Sequence, residues 1–128
     1  MIKLLCVAWA VFLFLFLCIW DVAGPGGTRF EVQIAANPSW SGFFDTNYIF
    51  NSKMLLRKTG HILGFAVLQL LLYAYYRRLG VSIGIALAYA LATELLQPLF
   101  SRHGLLLDVG VDLIGILLAV VVRKIWVS

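Results

Sequence analysis

Long apolar runs, separated by short polar interruptions, dominate this sequence. A helix crosses the hydrocarbon core of a bilayer with about 20 mostly apolar residues, and four runs approach or reach that length. The pattern therefore predicts an all-α integral membrane protein with one domain, residues 1–128, built as a bundle of four transmembrane helices. The predicted spans are residues 4–20, 59–76, 81–98 and 105–122, with an aromatic-rich loop, residues 21–58, between the first two.

Composition supports the same class. The chain is 62% hydrophobic and 12% charged, whereas a soluble domain is typically about 45–50% apolar and about 25% charged. The formal net charge of +4 is spread over the ends of the spans, which is typical of membrane anchoring and not of a nucleic-acid-binding surface. We therefore expect no nucleic-acid partner.

The first apolar run has two interpretations. Lys3 precedes it, as in a secretory signal peptide. However, the run extends from residue 4 to residue 20, and the apolar core of a signal peptide is usually about 7–15 residues long. We therefore expect an uncleaved membrane anchor.

The loop between the first two spans combines aromatic side chains with Ser, Asn and Asp. Such a mixture is typical of a segment at the depth of the lipid headgroups. It predicts a plain interfacial loop or, as the alternative, part of a substrate entrance. The aromatic residues are Trp40, Phe43, Phe44, Tyr48 and Phe50.

Orientation depends on the positive charges that flank the spans. Lys and Arg are evenly divided between the two sides, so the count alone does not decide. However, Arg77 and Arg78 lie in a very short turn, and Arg123 and Lys124 close the last span. Positions of this kind retain a segment in the cytoplasm. We therefore predict that both termini are cytoplasmic.

Ionisable residues interrupt the apolar runs at three span ends. Charges within a membrane are costly unless they pair or face water, so they indicate a functional site. Because successive spans alternate in direction, the start of the second, the end of the third and the start of the fourth lie on one face of the membrane. With the predicted orientation, this face is extracytoplasmic. The residues are Lys58 and His61, Glu94 and Gln97, and Asp108 and Asp112, with Arg102 between the last two spans.

The spacing of these residues predicts a packed polar cavity. Each pair is three or four residues apart and so lies on one face of its helix. Asp108 and Asp112 repel each other when both are ionised, so they require Lys58, Arg102, a bound cation or a proton. A G-x-x-x-G motif at residues 60–64 favours close approach of the second span to the third.

The three later spans also carry a recognisable set of motifs. It consists of K-x-x-H-x-x-x-F at Lys58, His61 and Phe65, E-x-x-Q at Glu94 and Gln97, and then Arg102, Asp108, Asp112 and Gly115. This set resembles the VanZ-like family of small membrane proteins, in which Asn is more common at the position of Asp112. The family is named for a member associated with glycopeptide resistance, teicoplanin in particular. The resemblance implies a bacterial inner membrane and a role in the cell envelope.

Three functions are compatible with these residues. The first is an enzyme that acts on an anionic lipid or lipid-linked envelope intermediate and affects glycopeptide susceptibility. The second is a protein that binds an anionic envelope lipid or an amphipathic antibiotic without turnover. The third is a buried ion-pair network that only fixes three helices together.

The enzyme hypothesis assigns a role to each residue. Lys58 and Arg102 hold the anionic group, because Arg offers paired donors and Lys a compact charge. His61 or Glu94 moves a proton, and Asp108 orients the histidine. Gln97 and Asp112 complete the substrate-binding set.

A metal ion is the remaining alternative. Four side chains offer ligands that suit a divalent cation, but no compact motif such as H-E-x-x-H is present, and Lys58 and Arg102 oppose a cation. We predict no metal and no other cofactor. The expected partner is a membrane lipid or lipid-linked cell-wall intermediate, and the small bundle is compatible with a homodimer or a membrane partner protein. The four potential ligands are His61, Glu94, Asp108 and Asp112.

Overall fold

A computed structural model of the chain describes residues 1–21, 29–46 and 52–128. It confirms the predicted helical class. The elements in chain order are α1 (Ile2–Phe14), a π-helix (Leu15–Ile19), β1 (Trp20–Asp21), β2 (Arg29–Phe30), α2 (Ser52–Tyr76), α3 (Leu79–Leu96), a 3-10 helix (Gln97–Phe100) and α4 (Leu106–Val127). The two short strands pair antiparallel, with Trp20 opposite Phe30.

Among the described residues, three helical segments are long and apolar enough to cross a membrane. They are Ile2–Ile19, Ser52–Tyr76 and Leu79–Phe100, and they correspond to the first three predicted spans. The fourth predicted span is also a helix, 22 residues long. It does not meet the same criterion of composition, because it carries charged side chains at both ends. These are Asp108, Asp112, Arg123 and Lys124.

Two helices extend beyond the predicted limits. Helix α2 begins at Ser52 and not at residue 59, so the end of the predicted loop is helical. Helix α4 continues to Val127 and not only to residue 122. The prediction ended each span where the apolar run ended, whereas a helix continues into the polar region while its backbone hydrogen bonds can form.

Helices α2 and α3 form a hairpin with a very short connection. Only Arg77 and Arg78 separate them. Arg77 adopts a left-handed conformation, with φ of 56°, and its N–H donates to Tyr73 O at 2.8 Å. A left-handed residue of this kind commonly closes a helix, so the chain reverses direction at once.

The connection from α3 to α4 is also compact. Helix α3 ends at Leu96, and the 3-10 helix that follows contains Pro98 near its start. Proline lacks a backbone donor and disfavours helix before it, which agrees with the predicted end of this helix. Ser101 then adopts a left-handed conformation, with φ of 57°, and turns the chain towards α4.

Helix α2 packs against the other three helices. Gly115 of α4 lies against its backbone: a Cβ atom at that position would be 2.2 Å from Ile62 O. On another side of α2, a Cβ on Gly64 would be 2.5 Å from Leu13 Cδ2 of α1, and Trp9 Nε1 donates to Gly64 O at 2.9 Å. The prediction that the 60–64 motif faces the third span is therefore wrong, because Gly64 faces α1 and Gly60 faces Phe16 of the π-helix that follows it.

The described part of the loop, residues 29–46, lies over the end of α3 and the start of α4. Trp40 Nε1 donates to Leu95 O at 2.9 Å, and Leu106 N donates to Phe43 O at 2.8 Å. Phe43 is buried, whereas Phe44 is exposed. Tyr48 and Phe50 lie outside the described residues.

Candidate functional site

Polar side chains from three helix ends meet at one end of the bundle. They come from the second and third turns of α2, from the junction of α3 with the 3-10 helix, and from the first two turns of α4. We call this group the polar cluster, and the end of the bundle that contains it the cluster end. Its members are Arg57, Lys58, His61, Glu94, Gln97, Asp108 and Asp112.

The outer part of the polar cluster, which we call the mouth, contains two cations and one carboxylate. Lys58 Nζ lies 2.5 Å from Asp108 Oδ1, and Arg57 Nη2 lies 3.6 Å from Asp108 Oδ2. Arg57 also donates to Gln97 Oε1 at 3.1 Å. The side chains of Arg57 and Lys58 are 14% and 15% exposed, whereas that of Asp108 is 3% exposed. The cations therefore form the accessible part of the polar cluster.

Glu94 is completely buried, and both of its carboxyl oxygens have donors. Gln97 Nε2 donates to Oε1 at 2.9 Å, and Leu105 N donates to Oε2 at 3.0 Å. Gly104 allows the second contact, because a Cβ there would be 2.0 Å from Glu94 O. Glu94 therefore ties α3 to the start of α4, which is a structural role in addition to any chemical one.

The deepest contact joins His61 to Asp112. His61 Nδ1 lies 2.7 Å from Asp112 Oδ1 and 3.9 Å from Glu94 Oε1. The side chains of His61 and Asp112 are 1% and 0% exposed. Among the described residues, none hydrogen-bonds to His61 Nε2 or to Asp112 Oδ2. Buried polar atoms usually have a partner, so these two atoms are the positions where a ligand or water would bind.

The structure brings together six of the seven residues predicted for the site. The seventh, Arg102, directs Nη1 to Trp20 O of β1 at 2.6 Å, directly after the first helical segment. The predicted role of Asp108 also changes, because Asp108 pairs with Lys58 and Asp112 contacts the histidine. The spacing of the two aspartates could not distinguish them, since both lie on the same face of α4.

A metal ion would find three ligands in the polar cluster. One ligand atom each from His61, Glu94 and Asp112 lies within 4.8 Å of the others. Nevertheless, the 2.7 Å between His61 Nδ1 and Asp112 Oδ1 is a hydrogen-bond distance. The absence of a metal therefore stays a prediction.

Arg57 was not among the site residues predicted from the sequence, although it belongs to the same basic cluster as Lys58 and His61. It lies four residues before His61, the spacing that places two side chains on the same helix face, so the signal was present. The contribution of the loop was harder to foresee. Phe43 O accepts from Leu106 N at 2.8 Å, at the first turn of α4, and no pattern in the sequence pairs these residues.

Three candidate spans and a polar cluster enclosed at one end of the bundle define a helical membrane protein. Comparison with known proteins agrees with this class. The chain is 29% identical over 117 residues to the uncharacterized membrane protein YwnJ of Bacillus subtilis (strain 168), and the match covers 89% of this chain and 84% of the relative.

Two further comparisons give no match. No protein-family model matches the chain. No solved structure matches it. The resemblance to the VanZ-like family therefore stays a prediction based on the motifs.

Proposed function

We propose that this protein is an enzyme of the bacterial inner membrane that acts on an anionic lipid or lipid-linked envelope intermediate. In this proposal α4 is the fourth span, both termini are cytoplasmic, and the polar cluster faces the extracytoplasmic side. The motifs that resemble the VanZ-like family support this setting. An effect on glycopeptide susceptibility is the corresponding expectation for the cell.

The observation that carries the proposal is the pair formed by His61 and Asp112. His61 Nδ1 lies 2.7 Å from Asp112 Oδ1, and in this proposal Nδ1 donates to an ionised Asp112, so that Nε2 carries the lone pair. A histidine held in this way by a carboxylate is suited to take a proton from a hydroxyl group or water. His61 Nε2 is buried and has no partner among the described residues, as this role requires.

The mouth supplies the other half of the proposed site. Arg57 and Lys58 present two positive charges beside each other, directly outside the buried group. Arg pairs with phosphate or carboxylate oxygens through two parallel hydrogen bonds, and Lys adds a point charge. The anionic group therefore binds at Arg57 and Lys58, and Asp108 holds the two cations in position.

A second function, binding without turnover, is favoured by one feature of the mouth. His61, Glu94 and Asp112 are at most 1% exposed, so a reacting group reaches them only if the mouth opens. An anion can bind to the partly exposed cations without such a movement. In this case the protein holds an anionic envelope lipid or an amphipathic antibiotic, and His61 only stabilises the site.

Lipid extracts distinguish the two functions. Cells that produce the wild-type protein or the His61→Ala variant are compared by mass spectrometry, together with lipids that co-purify with each protein. The chain has two histidines, and His103→Ala is the matched control because His103 is exposed. An enzyme depletes one anionic lipid in the wild type and the control, and this lipid accumulates with His61→Ala. Identical extracts with an anionic lipid on the purified protein indicate binding without turnover. Identical extracts with no anionic lipid on either protein would contradict both functions.

A further inference from the structure

An apolar groove runs along the π-helix and α1, from the cluster end towards the middle of the bundle. It consists of two adjoining cavities that share Phe12 and Phe16. The cavity nearer to the cluster end, which we call the upper cavity, has a volume of about 470 Å³ and is also lined by Leu15, Trp20 and Phe30. The lower cavity, about 200 Å³, is bounded by Trp9, Leu63, Gly64 and Val67, among others. All of these side chains are apolar, and the groove follows the helix axis.

The position of Arg57 connects this groove to the mouth of the polar cluster. Arg57, Gly60 and Gly64 are spaced by three and four residues, so they lie in one stripe along α2. Gly60 and Gly64 line the lower cavity, and Arg57 is one turn nearer to the start of the helix. The Arg57 guanidinium contacts Gln97 Oε1 at 3.1 Å and Asp108 Oδ2 at 3.6 Å, so it lies at the cluster end, one turn beyond the glycines of the groove. A charged group at Arg57 and a chain past Gly60 can belong to one molecule.

We propose that the groove holds the hydrocarbon chain of the lipid whose anionic group binds at Arg57 and Lys58. This inference rests on the proposed function, and it adds that the ligand is a long-chain lipid that enters sideways from the bilayer between α1 and α2. The charge at one end and the apolar lining below it match an amphiphile with one anionic end.

The groove positions the lipid and contributes little affinity. A chain that leaves the bilayer for the groove moves between two apolar surroundings, so it gains no hydrophobic transfer energy. The charge contacts at the mouth must therefore provide the preference for an anionic lipid. Occupancy of the groove by that lipid then depends on Arg57 and Lys58, whereas ordinary contact with bulk lipid does not.

Photo-crosslinking tests this dependence. Phosphatidylglycerol and phosphatidylcholine, each with a diazirine on the acyl chain, are incorporated into phosphatidylcholine nanodiscs that contain the full chain. Cross-linked peptides are then mapped by mass spectrometry. Two partly exposed ion contacts are worth about 1 kcal/mol together, or about fivefold in binding. We therefore expect the anionic probe to label the groove about fivefold more than the neutral probe.

Three variants separate the contributions. The mouth-neutral variant combines Arg57→Gln, Lys58→Gln and Asp108→Asn, so that both members of each ion pair of the mouth are removed together. It abolishes the excess labelling. Leu63→Trp fills the lower cavity and also abolishes it. Leu117→Trp is the matched control on α4: both leucines are exposed, at 61% and 49%, but Leu117 does not line the groove. This control retains the excess.

The possible outcomes distinguish a failure of the groove proposal from a failure of the proposed function. Three results would overturn the proposal that the groove holds the lipid chain. The excess labelling is absent in the wild type, or it lies on another segment, or it survives both Leu63→Trp and a second filling change, Val67→Trp. If native mass spectrometry still shows a preference for phosphatidylglycerol, the proposed function stands without it. If the wild type shows no preference for the anionic lipid in either measurement, the proposed function fails as well.

Discussion

Asp108 is the residue on which the charge balance of the mouth depends. It is 3% exposed and faces two cations, with Lys58 Nζ at 2.5 Å and Arg57 Nη2 at 3.6 Å. Removing one member of a buried ion pair is costly because the remaining charge loses its partner, whereas removing both members is much less costly. The mouth therefore contributes to stability as well as to the proposed binding.

The ion pairs of Asp108 predict the result of a double-mutant cycle. Asp108→Asn leaves two cations side by side and should lower the free energy of unfolding by roughly 3 kcal/mol. Adding Lys58→Met should restore a large part of that loss, so the two changes are not additive. Unfolding in mixed detergent micelles measures both effects. Lys53→Met, an exposed lysine at the same helix end, should change stability by less than about 0.5 kcal/mol. Strict additivity would contradict the ion-pair account.

At the residue scale, the sequence predicted which side chains meet but not how they pair. Lys58, His61, Glu94, Gln97, Asp108 and Asp112 were identified because charges in apolar runs are costly, and the alternation of span directions placed them at one end. Pairing depends on side-chain depth and rotamer, which residue spacing does not give. Asp112 therefore contacts His61 where Asp108 was expected, and Arg102 reaches Trp20 O. The catalytic and binding roles stay predictions.

At the element scale, close contact between α2 and α4 positions the polar cluster. Gly115 lies two turns below Asp108, and its Cα faces the α2 backbone at Ile62. This close approach lets His61 and Asp112, on the facing sides of the two helices, reach hydrogen-bond distance. Any side chain at residue 115 would push the helices apart.

Two glycine substitutions in α4 test this contact. In Gly115→Ala, the new Cβ would be 2.2 Å from Ile62 O, and a backbone atom cannot move away without displacing the helix. We expect the free energy of unfolding to fall by roughly 1–3 kcal/mol or more, as for other overpacked cores. Gly110→Ala is the control, because nothing lies within 4 Å of its Cβ position. It should be neutral or stabilising by up to about 1 kcal/mol. Thermal unfolding of the two variants gives the comparison, and equal effects would contradict the packing.

The sequence predicted the existence of the helices better than their neighbours or ends. Apolar runs define where a helix crosses, so the first three spans were found. Helix ends depend on local backbone bonds, and α2 begins at Ser52 in polar sequence. The direction in which the glycines Gly60 and Gly64 face depends on which helix packs there, and α1 occupies that position. A glycine motif indicates close approach without naming the partner.

At the scale of the whole molecule, the proposed topology depends on α4. If α4 crosses the membrane, then Ser101, before α4, and Ser128, after it, lie on opposite sides. Single cysteines at these exposed positions, in a chain with Cys6→Ala and Cys18→Ala, test this with a membrane-impermeant maleimide. We expect Ser101→Cys to react in intact spheroplasts and Ser128→Cys to react only after permeabilisation. Reaction of both cysteines from the same side would show that α4 does not span.

The proposed function requires that the mouth of the polar cluster binds the anionic group of a lipid. Native mass spectrometry of the detergent-purified protein, offered equal amounts of phosphatidylglycerol and phosphatidylcholine, measures this directly. The control combines Arg77→Gln with Arg78→Gln, which removes two exposed positive charges at the opposite end of the bundle. We predict that the wild type and this control retain phosphatidylglycerol preferentially, and that the mouth-neutral variant loses the preference. Equal retention of the two lipids by the wild type, or an unchanged preference in the mouth-neutral variant, would contradict the claim.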